Sequence, residues 1–442
     1  MRKLRNVIVV VGVIALTLAV VGGTPAPAQS SKDSPKATEI GVSASEIRIA
    51  VVADVDNPFV PGLFQGAVDG VKGAAKYINK QGGIGGRKVK VDFIDSKLSG
   101  NAARSAVITA CQEDFAMVGS AALFLANVED EIACKDVKGQ ATGLPDLGGI
   151  VTGIPQACSP VSFPVSPPAL DCTTATQHPQ TYRSLQGSAK YLLRKSGKLH
   201  GAFIVSGDTK DATRGGKVVV LTSQQAGIKS DQDVSVFGRD PQSAYTPIVQ
   251  RMKNDSSNYA EIILSSNSAI QLRQEAELQG LTDPKIVWVC TIACYNKTFV
   301  AAGSSVNGEY VTLGSLPFEE AKYNKAMATF LANVGKDKVD GFSVSGYTAG
   351  LAFGEALQAV VAKDGANGIT RAAFLRALKG LTSFDAGGMI GRVNIGGKVA
   401  TPCFVLIQLQ NGKWNRVHPT KKGTFDCKPS NSVTVKADLI GN

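Results

Sequence analysis

EIRIAVVADVDNPFVPGLFQGAVDGVKGAAKYINKQGGIGGRKVKVDFID, residues 46–95, decides the fold. Residues 47–53 are apolar and β-branched enough for a buried strand. A polar loop follows, Asp54-Val55-Asp56-Asn57-Pro58. Leu63, Ala67, Val71, Ala74, Ala75 and Ile78 then recur at helical spacing, which predicts a helix over 62–80. Gly82, Gly83, Gly85 and Gly86 crowd one short stretch, and no helix survives such a run. That stretch is a turn. Val89, Val91 and Phe93 alternate with Lys88, Lys90 and Asp92 as a second strand. Strand, long helix and strand make a βαβ unit, the building block of a parallel sheet covered by helices.

The rest of the chain extends this pattern. Strands are predicted at 201–205, 233–237, 261–264 and 286–289, with helices at 216–225, 245–254 and 269–279 between them. Residues 309–313 are expected to recross to the first series, and helices follow over 321–333, 347–363 and 370–378. Residues 404–410 and 414–417, joined by Asn411-Gly412, read as a β-hairpin. Between the two series, residues 139–182 change character. Seven prolines fall there among Gly, Ser and Thr, so regular structure is improbable over much of the segment. A stretch of that length inside a compact protein points to a functional role or to disorder.

The ends carry their own signals. Residues 1–28 read as a secretory signal peptide: Arg2, Lys3 and Arg5 precede an apolar run over 7–21, and Ala26-Pro27-Ala28 offers a cleavage site. No cysteine precedes Cys111, which excludes a lipid-anchored form. Residues 29–45, rich in Ser, Lys, Pro and Thr, are expected to be a flexible leader. An exported, periplasmic or secreted protein of about 400 residues remains, enough for two α/β units. Loss of three basic residues with the signal lowers the formal charge from +11 to +8. The Lys and Arg are dispersed and no aromatic-basic motif occurs, so nucleic acid is not an expected partner. Eight cysteines, Cys111, Cys134, Cys158, Cys172, Cys290, Cys294, Cys403 and Cys427, argue for disulfides in an exported chain. Their spacing never reads C-x-x-C and only three histidines exist, so no metal site is expected. Sequence alone does not fix the connectivity; pairing of near neighbours is the working expectation.

In open parallel sheets, ligands lie beyond the carboxyl ends of the strands. That rule selects loops 54–59, 120–127, 206–215, 265–268 and 290–296. Asp56 and Asn57 sit in the first, Asp208 and Arg214 in the third. Asn267 lies in the fourth, and Thr291 and Tyr295 in the fifth.

The opening block, with Asn79 to Gly86 matching an N-x-x-GG-x-GG turn, closely resembles that of the type I periplasmic solute-binding proteins. These are the branched-chain amino-acid-binding receptors of ABC transporters. The resemblance covers roughly residues 46–417. It implies an α/β fold of two Rossmann-like lobes with parallel sheets, a ligand cleft between them and several hinge crossovers. Lobe 1 is then expected over 46–182 and 313–398, lobe 2 over 183–312 and 399–427, and a tail over 428–442. It also implies a bridge between Cys111 and Cys134. Family members hold a ligand carboxylate at the end of the third strand, a place matched here by Ser120. Ala121 and Phe124 stand among residues that replace the usual small hydroxyl side chains. The acid that grips the ligand ammonium has no counterpart in 291–295. These departures point to an apolar or aromatic ligand body, with an acid group held by Arg214.

The implied function is capture of a small organic molecule, an amino acid or a hydrophobic or aromatic small acid, and its delivery to an ABC-type permease. A monomer with no cofactor is the expected form. A sensing module for a membrane receptor is the alternative. A secreted enzyme is a weaker one, because no G-x-S-x-G elbow, H-E-x-x-H motif or nucleophile–base pair is found, and the glycine cluster lacks a phosphate loop's Gly-Lys-Ser/Thr ending.

Overall fold

The computed structural model describes residues 34–125, 128–282 and 284–440. The signal-peptide reading of residues 1–28 lies outside them. Strand β1 (Glu46–Ala53) is buried along almost its whole length, as its apolar composition requires. It pairs in parallel with β2 (Lys88–Asp95) on one side and β3 (Ala116–Val118) on the other, and β4 (Asp146–Leu147) completes a four-stranded sheet. The β1–β2 register runs from Glu46 opposite Lys88 to Ala53 opposite Asp95, so both strands end together and their loops emerge side by side.

Helix α1 (Gln65–Lys80) connects them, while α2 (Gly100–Glu113) and the single turn α3 (Glu129–Ile132) follow β2 and β3. After the short helix α4 (Ile154–Cys158), strand β5 (Gln180–Leu185) and helix α5 (Gly187–Ser196) lead into a second sheet. Its parallel strands are β6 (His200–Ser206), β7 (Lys229–Val236), β8 (Tyr259–Ile263), β9 (Val287–Cys290) and β10 (Tyr310–Leu313). Helices α6 (Lys210–Ala226), α7 (Thr246–Asn254), α8 (Ser266–Leu278) and the short α9 (Lys297–Ala301) connect them. The chain then returns to the first sheet's layer as α10 (Lys325–Val334), α11 (Gly341–Asp364) and α12 (Arg371–Gly380). It comes back once more as the antiparallel hairpin β11 (Val405–Gln410) and β12 (Lys413–His418). The second sheet therefore has the order β12-β11-β10-β9-β8-β6-β7.

The expectation of two α/β units with parallel sheets holds, and three details differ. Residues 310–313, read as a recrossing segment, are a strand hydrogen-bonded inside the second sheet, and the chain crosses only after them. Part of the expected leader is fixed rather than loose: Lys36 and Thr38 bond to Asn367 and Ile369, and the Glu39 carboxylate accepts from the backbone N–H of Val137 and Arg371. Within the expected tail, β13 (Ser432–Ala437) pairs antiparallel with β5. The hairpin turn uses left-handed backbone at both Asn411 and Gly412, which the Asn-Gly pair tolerates.

Helices α1 and α11 cross in close contact. A Cβ at Gly346 would overlap the Ala67 backbone, and one at Gly70 would overlap Ser343, so the two glycines set the distance between the helices. All four sequence-local cysteine pairs are bridged: Cys111–Cys134, Cys158–Cys172, Cys290–Cys294 and Cys403–Cys427. No helix among the described residues is long and apolar enough to cross a membrane.

Two acids in the second sheet's layer, the half-buried Glu261 and the fully buried Glu309, give a pH prediction. Burial pushes the Glu261 carboxyl up to about 7, although Ser223 and Tyr259 donate to it. Burial likewise raises Glu309 to about 7, partly opposed by Arg273 at 3.4 Å. In the unfolded chain a Glu titrates near about 4.3. Between those values the unfolded chain gives up protons that the folded chain keeps, so stability is full below about pH 4.3 and falls as pH rises towards 7. The midpoint of urea unfolding should be higher at pH 5 than at pH 7.5, and Glu261→Gln should flatten the difference. Equal midpoints in the parent protein would contradict this.

Candidate functional site

The carboxyl ends of the strands in both sheets face a cavity of about 770 Å³. One wall comes from the loop after β1 (Phe59 to Phe64), with Leu98, Leu123 and Phe124. The opposite wall comes from loops after β6, β7, β8 and β9. Asp54, the first residue after β1, organises the first wall. Its buried carboxylate accepts from Ser96 Oγ (2.6 Å) and the Leu98 N–H (2.8 Å) through Oδ1, and from the Leu123 N–H (2.7 Å) through Oδ2. One acid thus ties together the loops after three strands and places Leu98 and Leu123 at the cavity.

A third contribution comes from the Pro/Gly-rich segment, which is irregular but well anchored. Asp146, fully buried on β4, accepts from Ser120 Oγ (2.5 Å), Gln156 Nε2 (2.9 Å) and Ser162 Oγ (3.0 Å). Burial raises the Asp146 carboxyl above the usual range, while those three donors pull it back. The Lys398 ammonium donates to the carbonyls of Ala157 (3.0 Å) and Ser159 (2.5 Å) from the strand-less connection before β11. Burial lowers Lys398 to about 8. Held this way, Ile150, Val151 and Thr152 line the cavity.

Of the sequence candidates, Phe124, Asp208, Arg214, Asn267 and Thr291 line the cavity, and Asp56, Asn57, Ser120, Ala121 and Tyr295 do not. Asn57 is buried and organises its own turn, its Oδ1 accepting from the N–H groups of Phe59 and Val60. The exposed Asp56 is held by its backbone, whose N–H donates to Asp95 (2.8 Å). Ser120 and Ala121 lie beneath the segment from Gly149 onward, whose N–H groups bond the Ser120 carbonyl. Tyr295 is buried and stacks on Phe318 with ring centroids 4.5 Å apart; its hydroxyl donates to Glu319 (2.7 Å) and accepts from the Phe318 N–H. It fixes the crossing after β10 instead of forming a cleft wall.

Arg214, expected to take a ligand acid, is already occupied. Its Nη1 contacts Asp211 at 2.5 Å and its Nη2 donates to the Thr152 carbonyl at 2.8 Å, joining α6 to the Pro/Gly-rich segment. Asp208 accepts from Ser206 Oγ (2.8 Å) and the Gly238 N–H (2.9 Å). Thr209 and Ser265 cap α6 and α8, and Asp340 caps α11. Burial raises Asp340 at the cavity edge to about 6.

Phe59, Phe237 and Arg239 also line the cavity. The strand-end rule reaches Phe59 in loop 54–59 but misses the other two, because residue 237 reads as the end of a strand whereas β7 ends at Val236. Phe59, Phe124 and Phe237 are 57%, 38% and 40% exposed, so three large rings from opposite walls stand open to solvent at one cavity. No cluster of metal-ligating side chains occurs among the described residues.

Similar proteins share this architecture. A solved ABC transporter substrate-binding protein from Aeropyrum pernix superposes with a TM-score of 0.67 at 16% identity, covering 87% of this chain and 97% of its own. A fatty acid ABC transporter substrate-binding protein from Thermomonospora curvata gives 0.64 at 16% identity, with 87% and 97% coverage. A leucine-binding protein from Thermotoga maritima gives 0.65 at 13% identity, with 84% and 97% coverage. No curated protein matches the chain. The family described as "Periplasmic binding protein" matches residues 46–413, and the chain belongs to that family.

Proposed function

We propose that this protein is an exported solute-binding receptor that captures a small organic molecule in the interlobe cavity and delivers it to an ABC-type permease. The observation that carries this reading is the set of three open phenylalanines, Phe59 and Phe124 on one wall and Phe237 on the other. Large apolar rings gathered at one concave site mark a place where something is bound. A ligand touching both walls stabilises the closed arrangement, and the permease then recognises that form. The lobes divide as the two sheets do, with α10 to α12 belonging to the first. An amino acid or a hydrophobic or aromatic small acid is the ligand class favoured. A periplasmic location follows from the same reading, with a monomeric receptor and permease subunits as partners.

A thermal-shift screen of the oxidised protein tests the reading. The panel is amino acids, aliphatic and aromatic acids, amides and sugars. A ligand at a hundred times its Kd should add about 2.7 kcal/mol of stability. A shift confined to one chemical class supports the receptor. Silence across the whole panel would overturn it.

A further inference from the structure

We propose that the charged anchor of the cavity is Arg239, and that the ligand is a carboxylate with an apolar body. This rests on the receptor reading above. It follows from which charges in the cavity are already engaged. Arg214 is shared between Asp211 and the Thr152 carbonyl. Asp208 has a donor on each oxygen, and the Asp340 carboxylate accepts the Ser343 N–H at the start of α11. Arg239 differs: among the described residues its guanidinium has no acid or carbonyl partner, and it lies over the Phe237 ring at 5.4 Å from the centroid.

The turn that carries Arg239 is nonetheless fixed. The Asp240 carboxylate accepts the Phe237 N–H at 2.7 Å, Asp208 accepts the Gly238 N–H, and the Asp240 N–H returns to the Phe237 carbonyl at 3.0 Å. A cation with all its donors unused, on a rigid turn at the mouth of a cavity, is suited to a bidentate grip on a carboxylate. The guanidinium over the Phe237 ring also joins the anchor directly to the apolar wall, so a ligand held by its acid group lays its body over Phe237, Phe59 and Phe124.

Isothermal titration of the oxidised protein with decanoate, 3-phenylpropionate, the primary amides of both, and leucine tests this. At least one acid should bind, and bind about tenfold or more tighter than its own amide, because the two differ only in the charged group. Arg239→Gln should abolish that preference, and Arg239→Lys should keep part of it, since a point charge replaces the fork. Arg214→Gln should change acid and amide affinities alike. An amide that binds as tightly as its acid, or a preference that survives Arg239→Gln, overturns the anchor. Binding of leucine or an amide without any acid preference defeats the anchor while leaving the receptor reading intact. Silence from every compound here and in the wider screen defeats both.

Discussion

Reduction of all four disulfides should lower the unfolding free energy by on the order of 10 kcal/mol. The bridged residues are 23, 14, 4 and 24 positions apart in sequence. In the chain-entropy account, the two longest loops contribute about 3.5 kcal/mol each, the middle one about 3 and the shortest about 2. Whole-protein stabilities are themselves about 5–15 kcal/mol, so the reduced chain should be barely folded or unfolded at room temperature. Urea unfolding with and without a phosphine reductant measures the effect directly. An unchanged midpoint after complete reduction would show that the bridges are idle.

The Cys111–Cys134 bridge should matter most among the four, because a second device depends on it. Arg371, fully buried at the start of α12, donates to Cys134 Sγ (2.9 Å) and to the carbonyls of Cys111 (2.8 Å), Asp114 (2.6 Å), Phe115 (3.2 Å) and Lys135 (2.8 Å). One guanidinium therefore satisfies the loose ends of α2 and of the chain around Cys134. With the bridge gone, those carbonyls separate and the buried cation loses its acceptors, a cost beyond loop entropy.

How far the sequence discloses all this depends on the kind of residue. β1, α1 and β2 are legible because their apolar spacing is a local property, and so is the Asn411-Gly412 turn. The loops at the strand ends are legible too, since the rule that finds them needs only strand direction. The side chains that serve the cavity are not. Ser120 and Asn57 sit where ligand-binding residues belong, yet each spends its hydrogen bonds on the protein itself. For Ser120 the choice is made by Asp146, which β4 brings alongside β3. Arg214 looks free in sequence, yet Asp211 one turn earlier on α6 and the Thr152 carbonyl both occupy it in the fold. Arg239 is the converse case, an arginine with nothing to mark it until its neighbours prove unable to reach it. Composition also misleads for residues 139–182: abundant Gly and Pro keep regular structure to β4, the short α4 and the start of β5, but Asp146 and Lys398 tie the irregular remainder down.

Replacing Glu320 by Ala should cost about 3–5 kcal/mol, because it leaves a buried arginine without its counter-charge. Glu320 lies in the short turn Phe318–Tyr323 that carries the chain out of the second sheet after β10, and Arg416 lies on β12. The pair is bidentate, Nε to Oε1 at 2.5 Å and Nη2 to Oε2 at 2.6 Å, and both side chains are only 3% exposed. The remaining valences are also filled: the Gly423 N–H donates to Glu320, and Arg416 Nη1 donates to the carbonyls of Pro419 and Thr424. Beside it, Tyr295 holds Glu319 and the Phe318 N–H. The first residues of the crossing are thus clamped to the second sheet from two sides, and bending at this crossing falls to the residues beyond Tyr323. Denaturant midpoints of the parent, Glu320→Ala, and the double replacement Glu320→Leu with Arg416→Met separate the possibilities. The single change should be severe and the double one much milder, since an apolar pair removes both charges from the interior. If the single change costs under about 1 kcal/mol, Arg416 has found water or another acid, and the clamp does not fix the crossing. If the double replacement is as damaging as the single one, the pair holds the crossing by its geometry, and apolar packing cannot substitute for it.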